Sequence, residues 1–296
     1  MSGTLFLGVD GGGSRCRARL ENADGVVLGA GLSGPATMRL GIDSAIRSIM
    51  DAARQAFREA NLDDDALART YAGIGLAGTG QPGAREALEA WRHPFAGAWY
   101  EGDGYLALLG AFGGQSGGVV IVGTGTIATT RLRGRTVRIG GYGFPASDEG
   151  GGADLGLNAL RSALRSLDGR EQPSAFFNEV LSRFDRDTSW VAAWMTKASA
   201  TEYATLAPIV VRHAQTADAD AISLMQDAGA HVAELARALL VLGVRRVALA
   251  GGLAEHVESY LPEDVRQRLV APKADAVAGG ILLAKQRLGA VHRQAS

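Results

Sequence analysis

Asp10 closes the apolar run Leu5-Phe6-Leu7-Gly8-Val9 and opens the turn Gly11-Gly12-Gly13-Ser14. Glycines let backbone N–H groups come close to an anion, and Ser14 adds a hydroxyl donor, so the turn is suited to phosphate. Asp10 brings a carboxylate to the same place, where a magnesium ion needs an oxygen ligand or a partner for its bound waters. A related turn follows about one domain later, where Val119-Val120-Ile121-Val122 runs into Gly123-Thr124-Gly125-Thr126. Two such turns, each leaving an apolar strand, carry far more weight than one.

Three further clusters could do chemistry. Asp103 follows Trp99-Tyr100-Glu101-Gly102 and precedes Gly104, at the junction of a strand and a helix. A carboxylate there can take the proton of a hydroxyl that attacks phosphorus, or it can simply cap the helix. Ser147-Asp148-Glu149-Gly150-Gly151-Gly152 puts paired carboxylates in a glycine-rich loop, where they can grip sugar hydroxyls or a metal, or favour the start of the next helix. Gly251-Gly252 ends the run Val247-Ala248-Leu249-Ala250 and leaves room for a flat ring or a phosphate against the backbone. The five histidines, His93, His213, His231, His256 and His292, show no metal spacing, and Cys16 reads as inert core. No Walker-type Gly-x-x-x-x-Gly-Lys-Ser/Thr element occurs.

The elements that must position these residues follow from periodicity. Residues 5–10 read as a strand. Cys16, Ala18 and Leu20 alternate with Arg15, Arg17 and Arg19 in a second, and Val26-Val27-Leu28 makes a third after the turn Ala23-Asp24-Gly25. A helix follows on Ile42, Ala45, Ile46, Ile49, Ala53 and Phe57. Strands are expected over 71–76 and 119–122, and a short helix over 105–112. Setting Gly13 on Gly125 without a gap pairs Ser14 with Thr126 and Leu20 with Leu132, which suggests a duplicated domain. Helices are expected over 155–167, 175–184, 189–197, 203–214 and 220–240, then a strand at 247–250 and a helix over 276–288. The tail after Arg293 is expected to fray.

The chain has 296 residues, is 47% hydrophobic and carries a formal net charge of −1. It can bury a sizeable core, and nothing in its charge calls for nucleic acid or an anionic membrane. A single cysteine excludes an internal disulfide and a self-contained iron–sulfur cluster, and points to a reducing compartment. With no signal-like start and no apolar run of about 20 residues, the expectation is a soluble cytoplasmic protein.

Taken in order, Gly8 to Ser14, Glu101-Gly102-Asp103, Gly123 to Thr126, Ser147 to Gly152 and Leu249 to Gly252 resemble the sugar kinase, Hsp70 and actin superfamily. Within it the chain resembles the BadF/BadG/BcrA/BcrD ATPase family, most of all its N-acetylglucosamine kinase and glucosamine kinase branch. The resemblance implies an α/β fold of duplicated actin-like (ribonuclease H-like) domains with a cleft between them. The first domain would span 1–115, joined by the end of the C-terminal helix at about 287–296. The second would span 116–286, with a helical insertion at about 153–240.

It also implies ATP and Mg2+ as cofactors, an amino sugar phosphorylated at its 6-hydroxyl, and a homodimer. Gly11, Gly12, Gly13 and Ser14 would bind the terminal phosphates, with Asp10 positioning the metal. Gly123, Thr124, Gly125 and Thr126 would form the second phosphate loop near the sugar, and Asp103 would be the general base. Asp148, with Glu149, would hold sugar hydroxyls, and Gly251-Gly252 would border adenine and ribose. The family's asparagine after the third strand is replaced here by Ala36 or Thr37, so Thr37 is left to make one sugar contact, and the next loop has no hydroxyl before Thr79. An activator ATPase of a 2-hydroxyacyl-CoA dehydratase is the first alternative, opposed by the lone cysteine. A non-catalytic sugar sensor is the second, opposed by Asp103 and by a chain that starts at its first strand.

Overall fold

The computed structural model describes residues 3–294, which divide into two compact units, one formed by residues 3–117 with 271–294 and the other by 118–270. The first unit is built on a five-stranded mixed sheet. Strands β1 (Leu5–Gly11), β2 (Cys16–Asn22) and β3 (Val27–Ser33) form an antiparallel meander. Helix α1 (Ile42–Glu59) then covers the meander, burying Ala45, Ile49, Ala52, Ala53, Ala56 and Phe57 on one face. Strand β4 (Thr70–Leu76), helix α2 (Ala84–Ala90), strand β5 (Gly97–Gly102) and helix α3 (Asp103–Phe112) complete the order β3-β2-β1-β4-β5. β4 lies parallel to both β1 and β5, so three strands end at one edge of the sheet.

The second unit repeats the meander with β6 (Gly118–Val122), β7 (Thr126–Leu132) and β8 (Arg135–Gly140). A run of helices follows: α4 (Gly152–Leu167), α5 (Ala175–Ser182), α6 (Thr188–Met195), α7 (Ala200–Ala204), α8 (Ala207–Gln215) and α9 (Ala219–Val241). Strand β9 (Val247–Ala250) then pairs parallel with β6, giving the order β8-β7-β6-β9, and the short helices α10 (Ala254–Val257) and α11 (Glu263–Arg266) follow. The helical insertion packs on this sheet through one continuous core that includes Leu155, Phe176, Phe177, Val180, Met225 and Val232.

Helix α12 (Ala276–Gln294) belongs to the first unit. The sequence placed only the chain from about 287 there, whereas the unit takes it from Ala271. The reason is close packing along the whole helix. A Cβ on Gly8 would overlap the Val277 carbonyl, one on Gly73 that of Gly280, and one on Gly279 that of Leu106. Only bare backbone lets α12 lie this near β1, β4 and α3. The helix also runs past the expected 288, and the expected fraying concerns a tail whose last two residues lie outside the described ones.

Two other expectations change. The helix read over 203–214 is two helices. Ser199 and Glu202 form a capping box that starts α7, and Pro208, which lacks an N–H, sits in the first turn of α8. The ungapped repeat also fails. Gly11 closes its hairpin against Cys16 and Val122 closes against Thr126, so the first turn has four residues and the second three. Ser14 is therefore an exposed turn residue, whereas Thr126 is the buried first residue of a strand.

Candidate active site

In the first unit the parallel strands end level. Asp10, Gly75 and Glu101 share one register row, and Gly11, Leu76 and Gly102 the next. With neighbouring strands about 4.8 Å apart, Asp10 and Glu101 stand about 10 Å from each other on that edge. The carboxyl edge of parallel strands is where open α/β sheets place ligands. The turn after β1 is closed by Gly12 N–H donating to Arg15 O at 2.9 Å, leaving Gly13 and Ser14 exposed. Neighbouring loops are stitched to its base, with Ala77 N–H donating to Gly11 O at 2.8 Å and Ala36 N–H to Gly12 O at 3.0 Å. Asp103 opens α3, and its Oδ1 accepts the Gly104 N–H at 2.9 Å. The N-cap of α3 is Gly102, with no side-chain cap bond, so Asp103 stands at the first helical position as a half-buried carboxylate at the same edge as Asp10.

The sequence missed how Asp10 is held. Arg17 lies opposite it in the β1–β2 register, and its Nη2 and Nε donate to Asp10 Oδ2 at 2.7 and 3.3 Å. Asp275, whose Oδ1 accepts the Ala278 N–H in the first turn of α12, lies 3.5 Å from Arg17 and 3.4 Å from Arg19. Burial works against the Arg17 charge, but the hydrogen bond and attraction to Asp10 outweigh it and hold its pKa above the usual value. Hairpin register is the signal that could have found this pair, since it sets Arg17 against Asp10 once the turn length is known. Cys16 behind them is fully buried. Burial pushes its thiol up to about 12, against a smaller lowering from Ser33, so it is inert core as expected.

Thr37 links two loops. It is 5% exposed, and its hydroxyl donates to Ala77 O at 3.2 Å while accepting the Arg39 N–H. Its one proton ties the loop after β3 to the loop after β4. Thr79 instead lies beside Gly102, next to Asp103.

In the second unit the turn Gly123 to Gly125 meets the acidic loop. Gly152 and Ala153 N–H, the first donors of α4, bond to Gly123 O and Thr124 O at 2.8 Å each, so the turn caps the helix. Thr126 donates its hydroxyl to Glu149 O at 2.7 Å and is buried. Asp148 adopts a positive φ of 71° and packs against Gly125, where any Cβ would collide with its carboxylate. Glu149 is exposed, and Asp154 Oδ2 accepts the Gly150 N–H at 2.9 Å. Gly251, at φ 98°, passes so close to Val122 O that a Cβ would overlap it, and Leu253 N–H donates to that oxygen at 3.0 Å.

Gly252 and Leu253 border a cavity of about 370 Å³ whose other wall is Pro208, Val211, Arg212 and Gln215 of α8, with His256 at its side. Apolar faces with a few polar groups suit a flat heteroaromatic ring. Arg212 is bonded to Glu179, whose Oε2 also meets His213 Nε2 at 2.8 Å. The His213 hydrogen bond, aided by Arg212, holds the Glu179 carboxyl below its usual range.

The model of the BadF/BadG/BcrA/BcrD ATPase family matches residues 7–284. The chain is 34% identical to the glucosamine kinase of Vibrio cholerae over 279 residues, covering 94% of this chain and 95% of that protein. It is 27% identical to the N-acetyl-D-glucosamine kinase of Dictyostelium discoideum, over 77% of this chain and 76% of that one. Among solved structures, a candidate N-acetylglucosamine kinase from Chromobacterium violaceum superposes with a TM-score of 0.88 at 35% identity, covering 96% of this chain and 99% of that one.

Proposed function

The chain belongs to the BadF/BadG/BcrA/BcrD ATPase family, and from that premise we propose that it transfers the γ-phosphoryl group of ATP to the 6-hydroxyl of an amino sugar, glucosamine or N-acetylglucosamine. One observation carries the reading. Asp103 opens α3 at the strand edge where the Asp10–Gly11 turn also ends, so a base and a phosphate cradle share one rigid sheet. The sugar kinases among its relatives, at 34% and 27% identity, support the acceptor class.

When bound, ATP would supply the phosphoryl group and Mg2+ would neutralise charge on its phosphates. Gly11 to Ser14 would hold the terminal phosphates, with the exposed Gly13 and Ser14 nearest them. Asp10 is one carboxylate already bonded to Arg17, so it fits an ion held chiefly by phosphate and water, through a water of its shell. Asp103 would take the proton of the attacking hydroxyl. Thr124, Gly125 and Asp148, with Glu149 beside them, would orient the sugar, and Thr79 would add a hydroxyl near the base. Gly251 and Gly252, with α8, would border adenine and ribose.

We place the protein in a reducing cytoplasm, on its single cysteine, and infer a homodimer from the family resemblance. Among the described residues no helix is long and apolar enough to cross a membrane. A coupled ADP-release assay over glucosamine, N-acetylglucosamine and glucose tests the reading. Sugar-dependent release is expected with an amino sugar, and its absence on every hexose would overturn the assignment. Sedimentation at micromolar concentration tests the dimer.

A further inference from the structure

Strand β2 carries Arg17, Arg19 and Glu21 at alternate positions, so these side chains share one face of the strand while Cys16, Ala18 and Leu20 fill the core on the other. β2 is an inner strand, where charged groups need partners. Arg17 meets Asp10 at 2.7 Å and Asp275 at 3.5 Å. Arg19 meets Asp275 at 3.4 Å and Glu21 at 3.5 Å, and Lys285 of α12 meets Glu21 at 3.5 Å. Acid and base thus alternate from Asp10 to Lys285, in a ladder with no net charge. Seating α12 on the sheet accounts for the lower rungs. It does not account for the top one, because Asp10 stands on β1 where the glycine turn begins, and its carboxylate bonds to Arg17 alone among the described residues.

That top rung is directional. Arg17 Nε and Nη2 both donate to Asp10 Oδ2, at 3.3 and 2.7 Å, and no described protein group donates to Oδ1. A planar guanidinium that grips one oxygen fixes the carboxylate and leaves the other oxygen as its acceptor. Arg17 Nη1 lies 3.5 Å from Asp275 Oδ2, so the guanidinium is itself held from behind. Asp275 is a fixed post. Lys273 and Ala274 N–H donate to Ala111 O and Gly110 O at 2.9 and 3.1 Å, and a Cβ on Gly110 would overlap the Asp275 carbonyl. The post is therefore pinned to the end of α3, the helix that Asp103 opens.

We propose that Arg17 and Asp275 are positioning residues for the metal-bound nucleotide: Arg17, steadied by Asp275, holds Asp10 so that Oδ1 is the one oxygen offered to the water shell of the Mg2+ that accompanies ATP. The inference rests on the phosphotransfer reading and adds to it the residues that set how firmly the metal is held. A lone carboxylate that reaches an ion through water contributes little unless its acceptor is already aimed. Partners of this outer kind account for roughly 10–100-fold in metal affinity. The Arg17 bond also engages Oδ2, which favours a shared water over direct capture of the ion, in keeping with the reluctance of Mg2+ to lose its waters.

Binding of Mn2+ to the full chain with ADP, read by electron paramagnetic resonance, tests this without turnover, and the Mg2+ dependence of sugar-driven ADP release tests it in use. Arg17→Gln should weaken Mn2+ binding about tenfold and raise the half-saturating Mg2+ by a similar factor. At saturating Mg2+ its sugar KM should match the parent and most of its turnover should return, a rescue that general damage to the fold would not permit. Arg17→Lys, a point charge without the fork, should fall between the parent and Arg17→Gln. Asp275→Asn keeps the start of α12, since asparagine caps as well as aspartate, and should weaken Mn2+ binding a few-fold with the urea midpoint unchanged. Arg17→Gln should add little to Asp10→Asn, because both break one chain of contacts. Full additivity of that pair, or Mn2+ binding unaltered in either Arg17→Gln or Asp275→Asn, would overturn the inference, while sugar-driven ADP release by the parent would keep the phosphotransfer reading. A parent chain that neither binds Mn2+ with ADP nor releases ADP with any hexose would overturn both.

Discussion

The turns after β1 and β6 begin alike in sequence and end with different duties. After β1 the apex residues Gly13 and Ser14 are exposed, and the carbonyls at its base, Gly11 and Gly12, are bonded to flanking loops. After β6 the turn is one residue shorter, its Gly123 and Thr124 carbonyls cap α4, and Thr126 is buried on Glu149 O. A glycine turn at the end of a strand is thus a device with two uses. Left open, it presents backbone donors to an anion. Closed by a following loop, it fixes that loop, here the one that carries Asp148 and Glu149.

Substitutions that separate these duties should do so in descending order of effect. Asp103→Asn should lower turnover about 10³-fold with little change in sugar KM, since it removes the base but keeps the α3 start; full turnover in the ADP-release assay would leave the fold and remove the base assignment. Gly125→Ala should push Asp148 aside, cost about 1–3 kcal/mol by overpacking, and raise the sugar KM more than the ATP KM. If the ATP KM rose instead, the second turn would be the better phosphate holder. Thr126→Val and Ser14→Ala test the comparison most directly. Thr126→Val should lower stability to urea by about 1 kcal/mol through the lost bond to Glu149 O. Ser14→Ala should leave the urea midpoint where it was and raise the ATP KM a few-fold. Equal behaviour of the two would mean that the turns do not differ in use.

The smallest effect is in pH. Glu179 has its folded pKa depressed, so its contribution to stability is present above the unfolded value of about 4.5 and fades as pH falls through the lower folded one. Glu179→Gln should therefore reduce melting temperature slightly at pH 7 and converge with the parent at the acid end. Because Arg212 lines the cavity beside Gly252, the same variant should also raise the ATP KM modestly. An unchanged ATP KM would separate Arg212 from the nucleotide.

Much of the fold was legible because its signals are local. The alternation at Cys16, Ala18 and Leu20, the helical spacing from Ile42 to Phe57 and the run Val247–Ala250 all became the elements they suggested. The bonds of Thr37 and Thr126 were not legible for a common reason. A threonine hydroxyl in sequence has no address, and in the structure each donates to a carbonyl 40 or 23 residues away. Arg17 was readable only as one of three arginines on a strand face, because its partner is set by the length of a turn. The break between α7 and α8 was written in Ser199, Glu202 and Pro208, and the periodic apolar residues on either side concealed it.

The sequence by itself determined the two strand–turn–strand units, the acidic residue at the head of α3 and the family that their order implies, since each depends on neighbours a few residues apart. Tertiary structure alone decided that Arg17 and Asp275 hold Asp10 in place, that α12 joins the first sheet along its whole length, and that α8 walls a cavity beside Gly252. Those outcomes turn on register and on glycine-permitted close approach, which bring together groups up to 258 residues apart along the chain.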